Sequence, residues 1–139
     1  MWLVDTSAWI EFLRPPRRLV LDDLGPDGGQ IVTCLPVIQE VLQGIDDERA
    51  FMEIRSAMLA WPRVDSPLGA GVVDQAVQIY RQTRRAGVTV RSTIDCLIAA
   101  SALGHELTVV HCDRDFAAIA RVTGLRHLDL SPRLARRKS

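Results

Sequence analysis

Trp2-Leu3-Val4-Asp5-Thr6-Ser7 is the stretch from which the rest of the chain is read. A short apolar run stops at an acid, and a helical pattern begins one or two residues later. In an open α/β sheet the carboxyl ends of the strands border the crevice that binds ligands. Asp5 therefore has two readings. It is a helix N-cap, which Asp, Thr and Ser all make well, or it lies on the floor of a site. Where the other acids fall weighs between them.

Outward from this stretch, Ala8-Trp9-Ile10-Glu11-Phe12-Leu13 reads as a helix stopped by Pro15-Pro16, with Arg14, Arg17 and Arg18 as solvated surface. Leu19 to Leu24 suggests another short helix, ended by Gly25-Pro26 and Gly28-Gly29. Ile31-Val32-Thr33-Cys34 is a second buried strand. Pro36 suits the first turn of the next helix, which turns Val37, Ile38, Val41 and Leu42 inward, carries Glu40 in its first turns, and ends at Gly44. Asp46-Asp47-Glu48 reads as a cap, where acids complement the helix dipole, and not as a metal site. Phe51, Ile54 and Met58 recur at helical spacing behind it.

Arg63-Val64-Asp65-Ser66-Pro67 suggests a short edge strand. A long helix follows with Val73, Ala76, Val77 and Tyr80 on one face, Arg81, Arg84 and Arg85 on the solvated side, and Gly87 at its end. Residues 96–103, closed by Gly104, form a helix of small apolar side chains packed on more than one side. Asp95 lies at its N-terminal end, where the dipole favours an acid. Ser92 and Thr93 can already cap this helix, which leaves Asp95 less needed there. Leu107-Thr108-Val109-Val110 is the clearest strand. His111-Cys112-Asp113-Arg114-Asp115-Phe116 leads into a helix with Ile119 and Ala120 inward, ended by Gly124, and His127-Leu128-Asp129-Leu130 is the last strand. Residues 1–130 form one domain, and residues 131–139, with Arg133, Arg136, Arg137 and Lys138, read as a disordered basic tail.

Composition narrows the function classes. A length of 139 residues suits one core. Basic and acidic residues both total 17, so a strongly basic nucleic-acid binder finds no support and any RNA-binding surface is a local patch. Lys138 is the only lysine, which excludes chemistry that needs an interior one. Cys34, Cys96 and Cys112 are odd in number and form no CxxC pair, as expected in a reducing cytosol. With His105, His111 and His127 they show no zinc spacing. No apolar stretch is long enough to cross a membrane and no signal-peptide layout opens the chain, so a cytoplasmic protein is expected.

The element order β-α-β-α-α-β-α-α-β-α-β suggests a three-layer α/β/α domain with a mostly parallel central sheet. Asp5 and Asp113 end strands. Glu40 and Asp95 sit near helix N-termini, beside strand ends if the crossovers take the usual hand. All four can meet on one rim. Carboxylates so placed repel, and one is protonated unless a cation neutralises them. Mg²⁺ or Mn²⁺ suits an all-oxygen set, and such an ion points to phosphoryl or phosphodiester chemistry.

Four stretches carry a family resemblance: Leu3-Val4-Asp5-Thr6-Ser7-Ala8-Trp9-Ile10, Glu40-Val41-Leu42-Gln43-Gly44, Asp95-Cys96-Leu97-Ile98-Ala99-Ala100 and Asp113-Arg114-Asp115-Phe116. In this order and at these separations the chain resembles the PIN-domain ribonucleases, and within them the VapC-type toxins of bacterial toxin–antitoxin pairs. The resemblance implies that Asp5, Glu40, Asp95 and Asp113 are metal-site acids, with Asp115 a more variable fifth and Ser7 or Thr6 orienting Asp5. It implies an RNA substrate (tRNA or ribosomal RNA), a cognate antitoxin and a homodimer. Trp9 and Phe12 are candidate walls of an antitoxin groove, or core. His111 stands where the family often has a small hydroxyl residue. It reads as a partly buried ring making one hydrogen bond and stays outside the catalytic set. The alternative class is a Mg²⁺-binding receiver-like module or a partner-binding domain without nuclease activity. Receivers and haloacid-dehalogenase-like phosphatases both use a lysine that this chain lacks. In the purely structural version of the alternative, the acids are only caps.

Overall fold

Leu3 and Val4 are neighbours in the first strand, and neither has any exposed surface. Successive strand residues point to opposite faces, so this strand is covered on both sides. Val109 and Val110 show the same pattern. The computed structural model describes residues 1–24 and 30–137, and the expected helix stop at Gly25-Pro26 and Gly28-Gly29 lies outside them. Among the described residues, β1 (Trp2–Val4), β2 (Ile31–Val32), β3 (Thr108–His111) and β4 (Arg126–Asp129) form a sheet in the order β2-β1-β3-β4. Every pair is parallel. Helices covering both faces make this a three-layer α/β domain.

The chain leaves β1 outward to β2, then returns to the other side of β1 to lay down β3 and β4. The strand order therefore switches between β1 and β3, the place where an open sheet forms its ligand crevice. Val4 pairs with Val110, and the Asp5 N–H donates to the Val110 carbonyl at 2.8 Å. That register brings the turn after β1 and the turn after β3 to the same crevice.

The helices are α1 (Thr6–Leu13), α2 (Leu35–Gln43), α3 (Glu48–Ala60), α4 (Ala70–Arg85), α5 (Thr93–Gly104), α6 (Arg114–Val122) and α7 (Ser131–Arg137), with a 3₁₀ turn at Leu21–Leu24. α5 is the central helix. It packs on α2, α4, α6 and β3, and its Cys96, Ile98, Ala99, Ala100, Ser101 and Ala102 are all buried. Small side chains let that many neighbours approach one helix. α3 begins at Asp47, whose carboxylate accepts the Ala50 N–H at 2.8 Å, a cap as expected.

Three expectations need correction. The edge strand at residues 63–67 reduces to one isolated parallel bridge between Thr33 and Arg63. The inward face of α4 is Ala76, Ile79 and Thr83, whereas Val73 and Val77 are 43% and 49% exposed. Apolar residues lie on two sides of that helix, and periodicity alone does not say which side meets the core. The basic tail is not disordered over residues 131–137: it forms α7. The Ser131 N–H donates to the Asp129 carboxylate at 2.8 Å, Leu134 packs on the core, and Arg133 bonds the buried Asp23 at 2.9 Å. The double variant Arg133→Ala/Leu134→Ala is expected to lose about 2 kcal/mol of stability, from half a leucine's burial and one partly exposed ion pair. Thermal denaturation checks this, and an unchanged Tm would mean that α7 is not docked.

Candidate metal centre

Asp5 caps a helix with only one of its two oxygens. It is the N-cap of α1, and its Oδ2 accepts the Ser7 N–H at 3.0 Å and the Ser7 hydroxyl at 2.6 Å. Its Oδ1 is buried and has no hydrogen-bond partner among the described residues. The cap thus uses one oxygen and leaves the other unpaired. Burial raises the Asp5 pKa to about 6, against the lowering by the Ser7 hydrogen bonds. Ser7 Oγ also accepts the Cys112 N–H at 2.9 Å, which fastens the start of α1 to the turn after β3. Of the two hydroxyl residues proposed to orient Asp5, Ser7 does so. Thr6 donates instead to Glu40 Oε1 at 3.1 Å.

Asp113 repeats the pattern at the other strand end. It is the N-cap of α6, and its Oδ1 accepts the Asp115 N–H at 3.0 Å. Asp115, two residues on, is buried. Its Oδ2 accepts the Arg91 N–H at 3.1 Å, and its Oδ1 lies 3.8 Å from Arg91 Nε.

Asp95 lies in the first turn of α5 and is 4% exposed. Ser92 is the N-cap residue, yet its side chain makes no capping bond, so the expected hydroxyl cap is absent. Asp95 Oδ2 is buried without a hydrogen-bond partner among the described residues. Burial raises the Asp95 pKa to about 8, and the negative charges of Asp5, Asp113 and Asp115 push it the same way.

Asp95, Asp113 and Asp115 each offer one carboxylate oxygen within 4.8 Å of the others. Asp5 stands beside this trio and couples electrostatically to Asp95 and to Glu40. Glu40, half-buried on α2, is held by Thr6 outside the trio. The donor set is therefore all carboxylate, with two buried oxygens left unpaired. A hard divalent cation satisfies both features.

His111 departs from its expected role. It is fully buried and makes two hydrogen bonds, not one: the Asp113 N–H donates to its Nδ1 at 3.1 Å, and its Nε2 lies 2.9 Å from His127 Nδ1. An N–H donating to Nδ1 places the ring proton on Nε2, so the proton points at His127. Burial lowers the His111 pKa to about 4, which keeps the ring neutral. It stacks on His127 and packs on Phe116. His111 thus shapes the turn that carries Asp113 and does not touch the carboxylate trio through its ring nitrogens. The sequence carried no signal for Arg91 as a partner of Asp115, since 24 residues separate them.

With this geometry in hand, likeness to known proteins becomes informative. A model of the PIN domain matches residues 2–122, and the chain belongs to the PIN-domain family. Within that family it is 37% identical over 136 residues to Ribonuclease VapC11 of Mycobacterium tuberculosis (strain ATCC 25618 / H37Rv), covering 91% of this chain and 96% of that one. Its fold is similar to that of VapBC-1 from nontypeable Haemophilus influenzae, with a TM-score of 0.72 at 13% identity over 94% of this chain and 98% of that chain. It is also similar to VapBC-5, a member of the VapBC family of toxin-antitoxin systems from Mycobacterium tuberculosis, with a TM-score of 0.68 at 20% identity over 91% and 96%. The receiver-like alternative gives way to this match.

The two raised carboxyl pKa values have a consequence for stability. Both lie above the unfolded value near 3.9, so from about pH 4 up to their folded values these two groups keep protons that the unfolded chain has lost, whereas His111, lowered to about 4, acts in the opposite direction below its unfolded value near 6.5. The stability that Asp5 and Asp95 contribute to the metal-free protein is expected to be lost as pH rises through about 6 and about 8, with neutral His111 offsetting part of the loss below about pH 6.5 and the Asp95 part standing alone above it. Asp95→Asn should flatten the upper part of that fall. Tm measured across this range with a chelator present tests it, and identical profiles for the two proteins would contradict it.

Proposed function

We propose that this protein is a divalent-metal-dependent endoribonuclease toxin, held inactive by a cognate antitoxin, that cuts structured cellular RNA. Single-stranded loops of tRNA or ribosomal RNA suit such a site, because their backbone and bases are accessible. The observation that carries the proposal is Asp95: a buried carboxyl with an unpaired oxygen, within reach of Asp113 and Asp115, at the strand-order switch. Its support from relatives is the name of the 37% identical protein, a ribonuclease.

Asp95 and Asp113 would hold the ion, with Asp5 Oδ1 completing the set from β1 and Asp115 at its edge. Mg²⁺ or Mn²⁺ fits this donor set. Such an ion supplies charge stabilisation at a phosphoryl group and a lowered pKa for water. The chain's own residues do the positioning. Ser7 fixes Asp5 and ties it to the Cys112 turn. His111 fixes the backbone of Asp113. Arg91 neutralises part of the charge on Asp115. Glu40, oriented by Thr6, borders the crevice from α2 as a further proton acceptor.

Partner surfaces lie away from this centre. A recess of about 370 Å³ is lined by Trp9, Phe12, Leu19, Ile54, Met58 and Trp61 and suits an apolar antitoxin segment. Trp9 is itself buried, so it forms the floor of that recess and is core as well. The exposed Val73 and Val77 on α4 border another apolar recess with Leu97 and Tyr80, a candidate face for a homodimer. Among the described residues no helix is long and apolar enough to cross a membrane. A cytoplasmic site of action follows from the RNA substrate.

Purified protein with Mg²⁺ or Mn²⁺ is expected to cleave RNA, and EDTA to stop it. Asp5→Asn, Asp95→Asn and Asp113→Asn should each lower kcat/KM by more than about 100-fold with an unchanged circular dichroism spectrum. Glu40→Gln should also lose activity and Asp115→Asn should lose less, since Arg91 already engages its carboxylate. Full activity in Asp95→Asn would refute the site. Ser7→Ala is expected to lower metal affinity by about 10- to 100-fold, the usual cost of removing a residue that orients a ligand. A Mn²⁺ titration of that variant checks it, and unchanged affinity would show that Asp5 needs no orienting.

A further inference from the structure

Asp115 faces two spaces. Besides the acidic centre it lines a recess of about 310 Å³ between the loop after α4 and the outer side of α6. Gly87 and Arg91 belong to the loop wall, and Arg114, Ala118 and Arg121 to the helix wall. Positions 114, 118 and 121 are four and seven apart, so they share one face of α6. That face carries a guanidinium at each end and a methyl between them, which leaves room in the middle. Gly87 ends α4 at φ +70°, a backbone that other residues rarely adopt, and a Cβ there would meet nothing within 4 Å.

The charge in this recess is unbalanced. All three arginines are exposed. Arg91 has one acid partner, Asp115, and its side chain is still 58% exposed. Arg114 and Arg121 make no hydrogen bond or ion pair with any of the described residues. Three guanidiniums therefore gather around one carboxylate, in a chain whose net charge is zero. The excess lies against Asp115, at the edge of the acidic centre that would repel a polyanion.

We propose that this recess is a phosphate-binding subsite that holds the RNA backbone beside the acidic centre, with Arg114 and Arg121 as its principal contacts and Arg91 linking it to Asp115. This rests on the nuclease reading above. An RNA strand entering a crevice of four carboxylates must be held by cations close by, and Coulomb attraction falls off within about 10 Å at ordinary salt. Arginine suits the task because its planar fork matches phosphate oxygens bidentately. Contacts of this kind position the strand and carry no base information. The subsite therefore sets affinity and register, and leaves sequence choice to other surfaces.

The test uses the full chain and a single-stranded RNA oligonucleotide that the wild type cleaves. For Arg114→Ala/Arg121→Ala, KM is expected to rise about tenfold, with the loss in kcat/KM carried by KM. In the uncleaving Asp95→Asn background, the slope of log affinity against log salt should fall by about 1.4, from about 0.7 per lost phosphate contact on a single strand. Arg114→Lys/Arg121→Lys should restore most of that slope and only part of the affinity, because lysine keeps the charge and loses the fork. Unchanged KM and salt slope in the alanine variant, with metal-dependent cleavage intact, would overturn the subsite and leave the nuclease reading standing. Absence of metal-dependent cleavage by the wild type would instead refute the nuclease reading, and the salt slopes would still decide whether the arginines contact RNA. Loss of antitoxin binding with RNA binding unchanged would assign the recess to protein and overturn the proposal.

Discussion

Asp95, Asp113 and Asp115 bring carboxylate oxygens within 4.8 Å of one another, Asp5 is near enough to couple with Asp95, and water is largely excluded from all but Asp113. Burial is the largest cause that raises Asp5 to about 6 and Asp95 to about 8, and neighbouring carboxylates add to it. A folded chain does not keep such groups together for stability, since unpaired buried carboxyls oppose folding wherever they are ionised. The rest of the domain reads as the structure needed to hold them there. Asp5 and Asp113 are fastened by capping α1 and α6, so the helices that they start also fix their orientation. Asp95 is carried by α5, the helix with the most neighbours in the core. The sheet register aligns the two strand ends, and Ser7 bonds both of the turns that follow them.

Capping and a role in a site do not compete for the same atoms of Asp5. A carboxylate has two oxygens, and a cap needs only one. In Asp5, Oδ2 serves the helix and Oδ1 is buried and unpaired among the described residues. The same economy orders the turn after β3, where the Asp113 carboxylate caps the helix while its N–H is taken by a neutral, buried His111. Charge then changes sign over a short distance. The acidic crevice gives way at Asp115 to the three arginines of the neighbouring recess. A net charge of zero hides this layout entirely.

Much of the scaffold was legible in the sequence because strand ends and helix starts are local events. Apolar runs marked β1 and the strand before Asp113, and Asp5, Asp95 and Asp113 stood at helix starts as expected, whereas Glu40, expected near the start of α2, lies in its second turn. The remainder depended on contacts between distant residues. The two faces of α4 look alike in sequence, and only packing selects Ala76, Ile79 and Thr83 over Val73 and Val77. The docking of α7 relies on Arg133 meeting Asp23, 110 residues away. Arg91 and Asp115 join through a loop and a helix that show no shared motif. The full burial of His111 follows from Phe116 and His127 closing over it, which no local pattern announces.

With a pKa of about 8, Asp95 keeps its proton at pH 7, and a divalent cation held there would displace it. Calorimetric titration of Mn²⁺ at pH 7, repeated in buffers of different ionisation enthalpy, counts the protons released on binding. The account predicts about one proton per ion for the wild type, given an Asp95 pKa of about 8, and almost none for Asp95→Asn. Binding without proton release in the wild type, or the same release in the variant, would contradict it.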